Sequence, residues 1–173
     1  MICKPCDLIS TMFESNAKPK DLIPQIDAFA ATATSAEQLM TQIVSLLHKS
    51  LLKYNWVGFY MIQKEGNEIV LVLGPFKGSM TPHTRIKLNQ GICGAAASTG
   101  KTVVVDDVSS DPRYLACSLE TKSEIVVPVF VRGQVVGELD IDSHFLAAFG
   151  GAEDRALCEH AAATLGRWME AHS

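Results

Sequence analysis

Two β-rich pairs, each closed by a short turn, constrain this chain more than any other feature. Trp56 to Ile62 (WVGFYMI) and Glu68 to Leu73 (EIVLVL) flank Lys64-Glu65-Gly66-Asn67. Glu124 to Val131 and Gln134 to Asp142 flank Arg132-Gly133. Turns this short join antiparallel neighbours, because a parallel connection needs a crossover of about a dozen residues or more. Arg85 to Leu88 and Val103-Val104-Val105 add two shorter runs, so an antiparallel sheet of about six strands is expected. Gly74-Pro75-Phe76-Lys77-Gly78 is expected to break the second strand.

Helical periodicity frames these strands. Pro19 to Ala30 reads as a helix that Pro24 bends or ends. Ser35-Ala36-Glu37-Gln38 has the capping-box pattern, and Leu39, Met40, Ile43, Val44, Leu47 and Leu51 then recur on one face, with Asn55 as the expected end. Gly91-Ile92-Cys93-Gly94 opens a helix of small residues that Gly100 ends, and Glu153 to Met169 is a final helix with Cys158 on its flank. The fold class is α+β, with the N- and C-terminal helices packed on one face of the sheet. Residues 1–18 are expected to be a tail or short helix, and 19–173 a single domain.

At 173 residues, 47% hydrophobic and 20% charged, the chain has material for one sizeable core. A net charge of −4 without a basic run argues against nucleic acid as a partner. No run approaches the roughly 20 apolar residues of a membrane span. The opening MICKPCDLIS lacks the apolar core of a secretory signal, so a cytoplasmic location is expected. Five cysteines, Cys3, Cys6, Cys93, Cys117 and Cys158, are an odd number for a disulfide framework.

Three groups of residues offer chemistry. Cys93 stands where a helix begins, a position that lowers a thiol pKa, and Cys117 lies in the polar loop from Asp106 to Ser118. The two are either a nucleophile with its resolver or an inert core thiol and an idle loop thiol. Asp140 and Asp142, two apart, share a strand face, and the hairpin at Gly133 carries Glu124 beside them. These acids either bind a ligand ammonium and supply a proton, or form a solvated sheet edge. No histidine stands at matching spacing, so no metal is expected. Trp56 and Tyr60 share a face and either wall a small pocket or pack the core. Cys3-Lys4-Pro5-Cys6 lacks the partners of a zinc site.

Asn55-Trp56-Val57-Gly58-Phe59-Tyr60, Leu73-Gly74-Pro75-Phe76-Lys77-Gly78, Gly91-Ile92-Cys93-Gly94-Ala95-Ala96, Cys117, Ser123-Glu124-Ile125-Val126-Val127-Pro128 and Leu139-Asp140-Ile141-Asp142-Ser143 together resemble the free methionine-(R)-sulfoxide reductases, each a single GAF domain. The resemblance spans about residues 20–168 and implies a GAF-like fold. It also implies reduction of the R sulfoxide of free methionine without cofactor or metal, with thioredoxin as reductant and a homodimeric state. By the same resemblance Cys117 is the nucleophile and Cys93 a second redox cysteine. Glu124, Asp140 and Asp142 hold the substrate or polarise its sulfoxide, with Asp142 the acid, and Trp56 and Tyr60 form the aromatic wall.

One position departs from the family pattern. The cysteine usually found ten residues before Cys93 is His83 here, so the usual disulfide with Cys117 cannot form. Either Cys93, the Cys3/Cys6 pair or an external thiol resolves instead, or turnover has been lost. A non-catalytic GAF module that binds a small ligand is the alternative reading, and a thiol-based redox sensor a third.

Overall fold

The computed structural model describes residues 17–88, 90–115 and 118–173. In chain order these form α1 (Pro19–Thr32), α2 (Ala36–Ser50), β1 (Trp56–Glu65), β2 (Glu68–Lys77), β3 (Arg85–Lys87), α3 (Gly91–Thr99), β4 (Val103–Val105), a 3-10 turn (Val108–Ser110), β5 (Ser123–Val131), β6 (Gln134–Ser143) and α4 (Ala152–Ala171). The six strands make one antiparallel sheet in the order β3-β2-β1-β6-β5-β4. Cys3, Cys6 and Cys117 lie outside the described residues.

The turns form as their residues demand. Arg132 and Gly133 both have positive φ, 49° and 75°, the combination of a type I′ turn whose twist matches the strands it joins. Gly74 and Pro75 do not end β2. The strand continues to Lys77 by a bulge, in which Gly58 pairs with Phe76 and Tyr60 with Leu73. Two residues of β2 thereby oppose Phe59 alone, which absorbs the proline without ending the pairing.

Pro24 likewise fails to end α1, because it sits on the exposed face between the buried Leu22 and Ile26. Water there can serve the carbonyl that the missing N–H leaves free. In α2 the Ser35 side chain accepts from the Gln38 N–H at 3.1 Å, while Gln38 Oε1 accepts from the backbone N–H and hydroxyl of Thr34. The reciprocal half of the box thus closes one residue early. The helix stops at Ser50, short of Asn55. Asn55 instead accepts the His144 N–H on its side-chain oxygen at 2.8 Å, tying the start of β1 to the end of β6.

Strand alternation sends side chains to two cores. Val57, Phe59, Ile125, Val127, Leu139 and Ile141 face α1, α2 and α4, so three helices cover one face. Cys158 belongs to this core, fully buried with its sulfur 3.6 Å from the Tyr54 hydroxyl, and is not on the helix flank. The same hydroxyl donates to Asp154, whose other oxygen pairs with Lys53 at 2.6 Å. The opposite face carries Trp56, Tyr60, Leu71 and Val126, and α3 covers it with Ile92, Cys93, Ala96 and Ala97. No described helix is long and apolar enough to cross a membrane.

Candidate functional site

The face beneath α3 is where the polar exceptions collect. On the central strands β1, β6 and β5, the register opposes Trp56 to Asp142 and Asp142 to Glu124, then Gly58 to Asp140 and Asp140 to Val126, then Tyr60 to Glu138. Alternation therefore puts Glu124, Glu138, Asp140 and Asp142 on one side, and all four are buried. They do not form a solvated edge, because β5 and β6 lie inside the sheet and α3 packs over them. Among the described residues, no ion pair reaches any of the four.

Glu138 is not among the acids expected from the sequence. It continues the two-residue period of Asp140 and Asp142 toward the hairpin, and that spacing is the signal available. Its side chain has no solvent exposure, and neither carboxylate oxygen has a hydrogen-bond partner, nor does Asp140 Oδ1.

Cys93 meets this cluster from above. Its Sγ donates to Asp140 Oδ2 at 3.4 Å and stands 4.0 Å from Glu124 Oε1. Its nearness also moderates the Glu138 carboxyl, although no hydrogen bond of standard geometry joins them. The helix start alone predicts a lowered pKa for this thiol. The opposite holds, because burial first, then the charges of Asp140, Glu138 and Glu124, push it well above the usual thiol range. A favourable dipole at a helix terminus is outweighed by three carboxyls in a buried site.

The acids respond in kind. Burial raises Asp140 to about 7, with the Cys93 thiol pulling the other way. Burial and then Asp140 raise Glu124, Glu138 and Asp142 well above the carboxylate range. Buried carboxyls crowded together share protons rather than all ionise, so at neutral pH this array holds protons it can donate.

The aromatic wall is built on β1. The Trp56 indole stacks on Phe76 at 5.7 Å and on Tyr60 at 6.1 Å, and its N–H donates to the Ser79 carbonyl at 3.1 Å. Gly58 makes room for it, since a Cβ there would lie 2.4 Å from Trp56 Cη2. The Tyr60 hydroxyl donates to the His83 carbonyl at 2.7 Å. Trp56 and Asp142 line a narrow pocket of about 20 Å³ whose other walls include Ser79, Met80, Ser118 and Thr121. That is room for about one water. Wider grooves of about 370 and 640 Å³, beside α4 and α2, are not lined by a buried acid.

The structure thus brings Cys93, Glu124, Asp140, Asp142, Trp56 and Tyr60 to one face, while Cys117 lies outside the described residues. Its described neighbours lie close to that face. Leu115 packs so tightly against Gly91 that a Cβ on the glycine would be 2.9 Å from Leu115 Cδ1, and the Tyr114 hydroxyl donates to the Ser118 carbonyl.

The GAF domain family matches residues 35–167. Protein YtsP of Bacillus subtilis is 36% identical over 151 residues, which cover 86% of this chain and 91% of that protein. The free methionine-R-sulfoxide reductase of Escherichia coli is 34% identical over 137 residues, 79% of this chain and 80% of the enzyme. The X-ray structure of free methionine-R-sulfoxide reductase from Neisseria meningitidis, in complex with its substrate, superposes with a TM-score of 0.81 at 37% identity, covering 88% of this chain and 89% of that one.

Proposed function

The chain belongs to the GAF domain family and, within it, to the free methionine-R-sulfoxide reductases, and on that premise we propose that it reduces free methionine-(R)-sulfoxide with Cys117 as nucleophile. The observation that carries this reading is the row of buried, proton-bearing acids Glu124, Asp142 and Asp140 beside the Trp56 indole. A sulfoxide offers such a site a polar oxygen to protonate, and an amino acid offers an ammonium to hold.

In the proposed reaction the Cys117 thiolate attacks the sulfoxide sulfur while Asp142 gives its proton to the sulfoxide oxygen. The new sulfur–sulfur bond and the substrate's sulfur–oxygen bond then break as the oxygen passes to the Cys117 sulfur, so methionine leaves as the reduced thioether and Cys117 becomes sulfenic acid. Glu124 and Asp140 hold the substrate ammonium, and Trp56 with Tyr60 takes the S-methyl group.

A second thiol then condenses with the sulfenic acid, releasing water and forming a disulfide that the dithiol of thioredoxin reduces by exchange. Among the described residues, Cys93 is the thiol on the acid-lined face, but its raised pKa makes it a slow attacker. Cys3, Cys6 or an external thiol supplies the alternative. The homodimeric state and cytoplasmic location belong to this reading as well.

The test is methionine release from free L-methionine-(R)-sulfoxide by the folded protein, with thioredoxin in one tube and dithiothreitol in another. Turnover in both supports the reductase with internal resolution. Turnover with dithiothreitol alone supports the Cys117 chemistry with an external resolver. No release in either tube overturns the proposal in favour of a ligand-binding GAF module. Cys117→Ser is expected to lose turnover while still binding methionine by calorimetry, and wild-type turnover in that variant would remove Cys117 as nucleophile.

A further inference from the structure

We propose that Cys93, Glu124 and Asp140, backed by Glu138, form a site for a thiophilic divalent cation of the zinc type, sharing two acids with the proposed substrate site but with no part in the reduction itself. The geometry points there first. One sulfur and two carboxylate oxygens lie within 4.8 Å of one another, with the sulfur 3.4 Å from Asp140 Oδ2 and 4.0 Å from Glu124 Oε1. A tetrahedral zinc ion with Zn–S about 2.3 Å and Zn–O about 2.0 Å sets sulfur–oxygen edges of about 3.5 Å. Both sulfur–oxygen distances lie within about half an ångström of that edge.

Glu138 is the independent observation. A carboxyl with no solvent exposure and both oxygens unpartnered lies close enough to Cys93 and Asp140 to act on both. Buried polar groups are nearly always paired, and an exception calls for a ligand or a proton. Glu138 can accept the fourth coordination position or orient Asp140 from behind. No lysine or arginine ion pair reaches the cluster among the described residues, and the Arg113 guanidinium, paired with Asp111, acts on Glu124 only through its charge.

The donor set selects the ion. A thiolate with carboxylates suits zinc or cobalt, whereas magnesium and calcium take oxygen ligands alone. Binding must expel the thiol proton and carboxyl protons, so affinity rises with pH. The pocket that Asp142 lines stands next along the same strand face. An ion at the cluster would occupy Glu124 and Asp140 and exclude the amino-acid substrate. That consequence rests on the reductase reading, whereas the binding itself does not.

Cobalt(II) titration of the reduced full chain, with Cys3 and Cys6 changed to serine, tests the binding spectroscopically. A near-ultraviolet thiolate-to-cobalt band that saturates at one equivalent and is displaced by zinc is expected. It should vanish in Cys93→Ser and persist in Cys117→Ser. Glu138→Gln should weaken cobalt binding about 10- to 100-fold, the usual effect of losing a group behind the ligands. Glu124→Gln keeps the thiol and should also weaken binding, which guards against a misfolded Cys93→Ser. No band, a band that survives Cys93→Ser, or unchanged affinity in Glu124→Gln would overturn the site whether or not the chain reduces sulfoxides.

Discussion

The Tyr60 hydroxyl holds the backbone carbonyl of His83 at 2.7 Å, fastening the segment between β2 and β3 to the floor of the acid-lined face. The family resemblance implies a resolving cysteine at the position that His83 fills in this chain. His83→Cys is therefore expected to raise thioredoxin-supported turnover several-fold while leaving the dithiothreitol-supported rate near its starting value. Steady-state rates with the two reductants check this. An equal effect on both rates would assign His83 a role unrelated to resolution.

Asp142 is buried beside Asp140 and keeps its proton well above the usual carboxyl range. An amide in place of this carboxyl would preserve shape and lose the acid. Asp142→Asn is expected to lower kcat by about a hundredfold or more with a small change in KM. An unchanged kcat at saturating sulfoxide would place the acid at Glu124 or Asp140.

The raised acids tie stability to pH with a definite sign. Asp140 moves from 3.8 to about 7 on folding, so between those values the folded chain keeps a proton that the unfolded chain has released. This part of the stability is complete below 3.8 and is lost as pH rises through about 7. Glu124, Glu138 and Asp142 shift in the same direction and extend the decline upward. Thermal unfolding over a pH series at fixed ionic strength should show Tm falling across this window, with a shallower fall in Asp140→Asn. A Tm that rises with pH there would mean the array is ionised in the folded state.

Gly58 lies under the Trp56 ring, which Phe76 and Tyr60 hold in place. An alanine would put its methyl 2.4 Å from Trp56 Cη2 and 3.0 Å from Phe76 Cβ. Gly58→Ala is expected to cost about 1–3 kcal/mol, the usual range for overpacking, and to raise KM by tilting the indole. Urea unfolding and steady-state kinetics measure the two effects.

Much of this architecture is readable from local sequence, and the exceptions share a cause. Arg132-Gly133 announces its own turn and Ser35 its own cap, because both depend on a few adjacent residues. The bulge at Gly74-Pro75 is hidden, since only the pairing partner Phe59 shows that the strand goes on. The direction of the Cys93 shift is hidden for the same reason. Its helix start is local, but the carboxyls that overrule it come from β5 and β6, as far as 47 residues along the chain. Asp140 and Asp142 resemble a solvated strand face until α3 is known to lie over them. Glu138 continues their period in plain view, but a lone glutamate two residues from a pair of aspartates carries no mark of burial.

The sheet register has a further consequence for how this protein can change. Trp56 opens β1 and Asp142 stands near the end of β6, so the pocket they line lies at one end of the central strands. The hairpin turns at Gly66 and Arg132-Gly133 stand at the other end, where a Cβ on either glycine would meet nothing. Inserted loops, tags or whole domains can be accommodated there without shifting the acids. The fold separates the end that must keep its geometry from the end that is free to acquire new sequence.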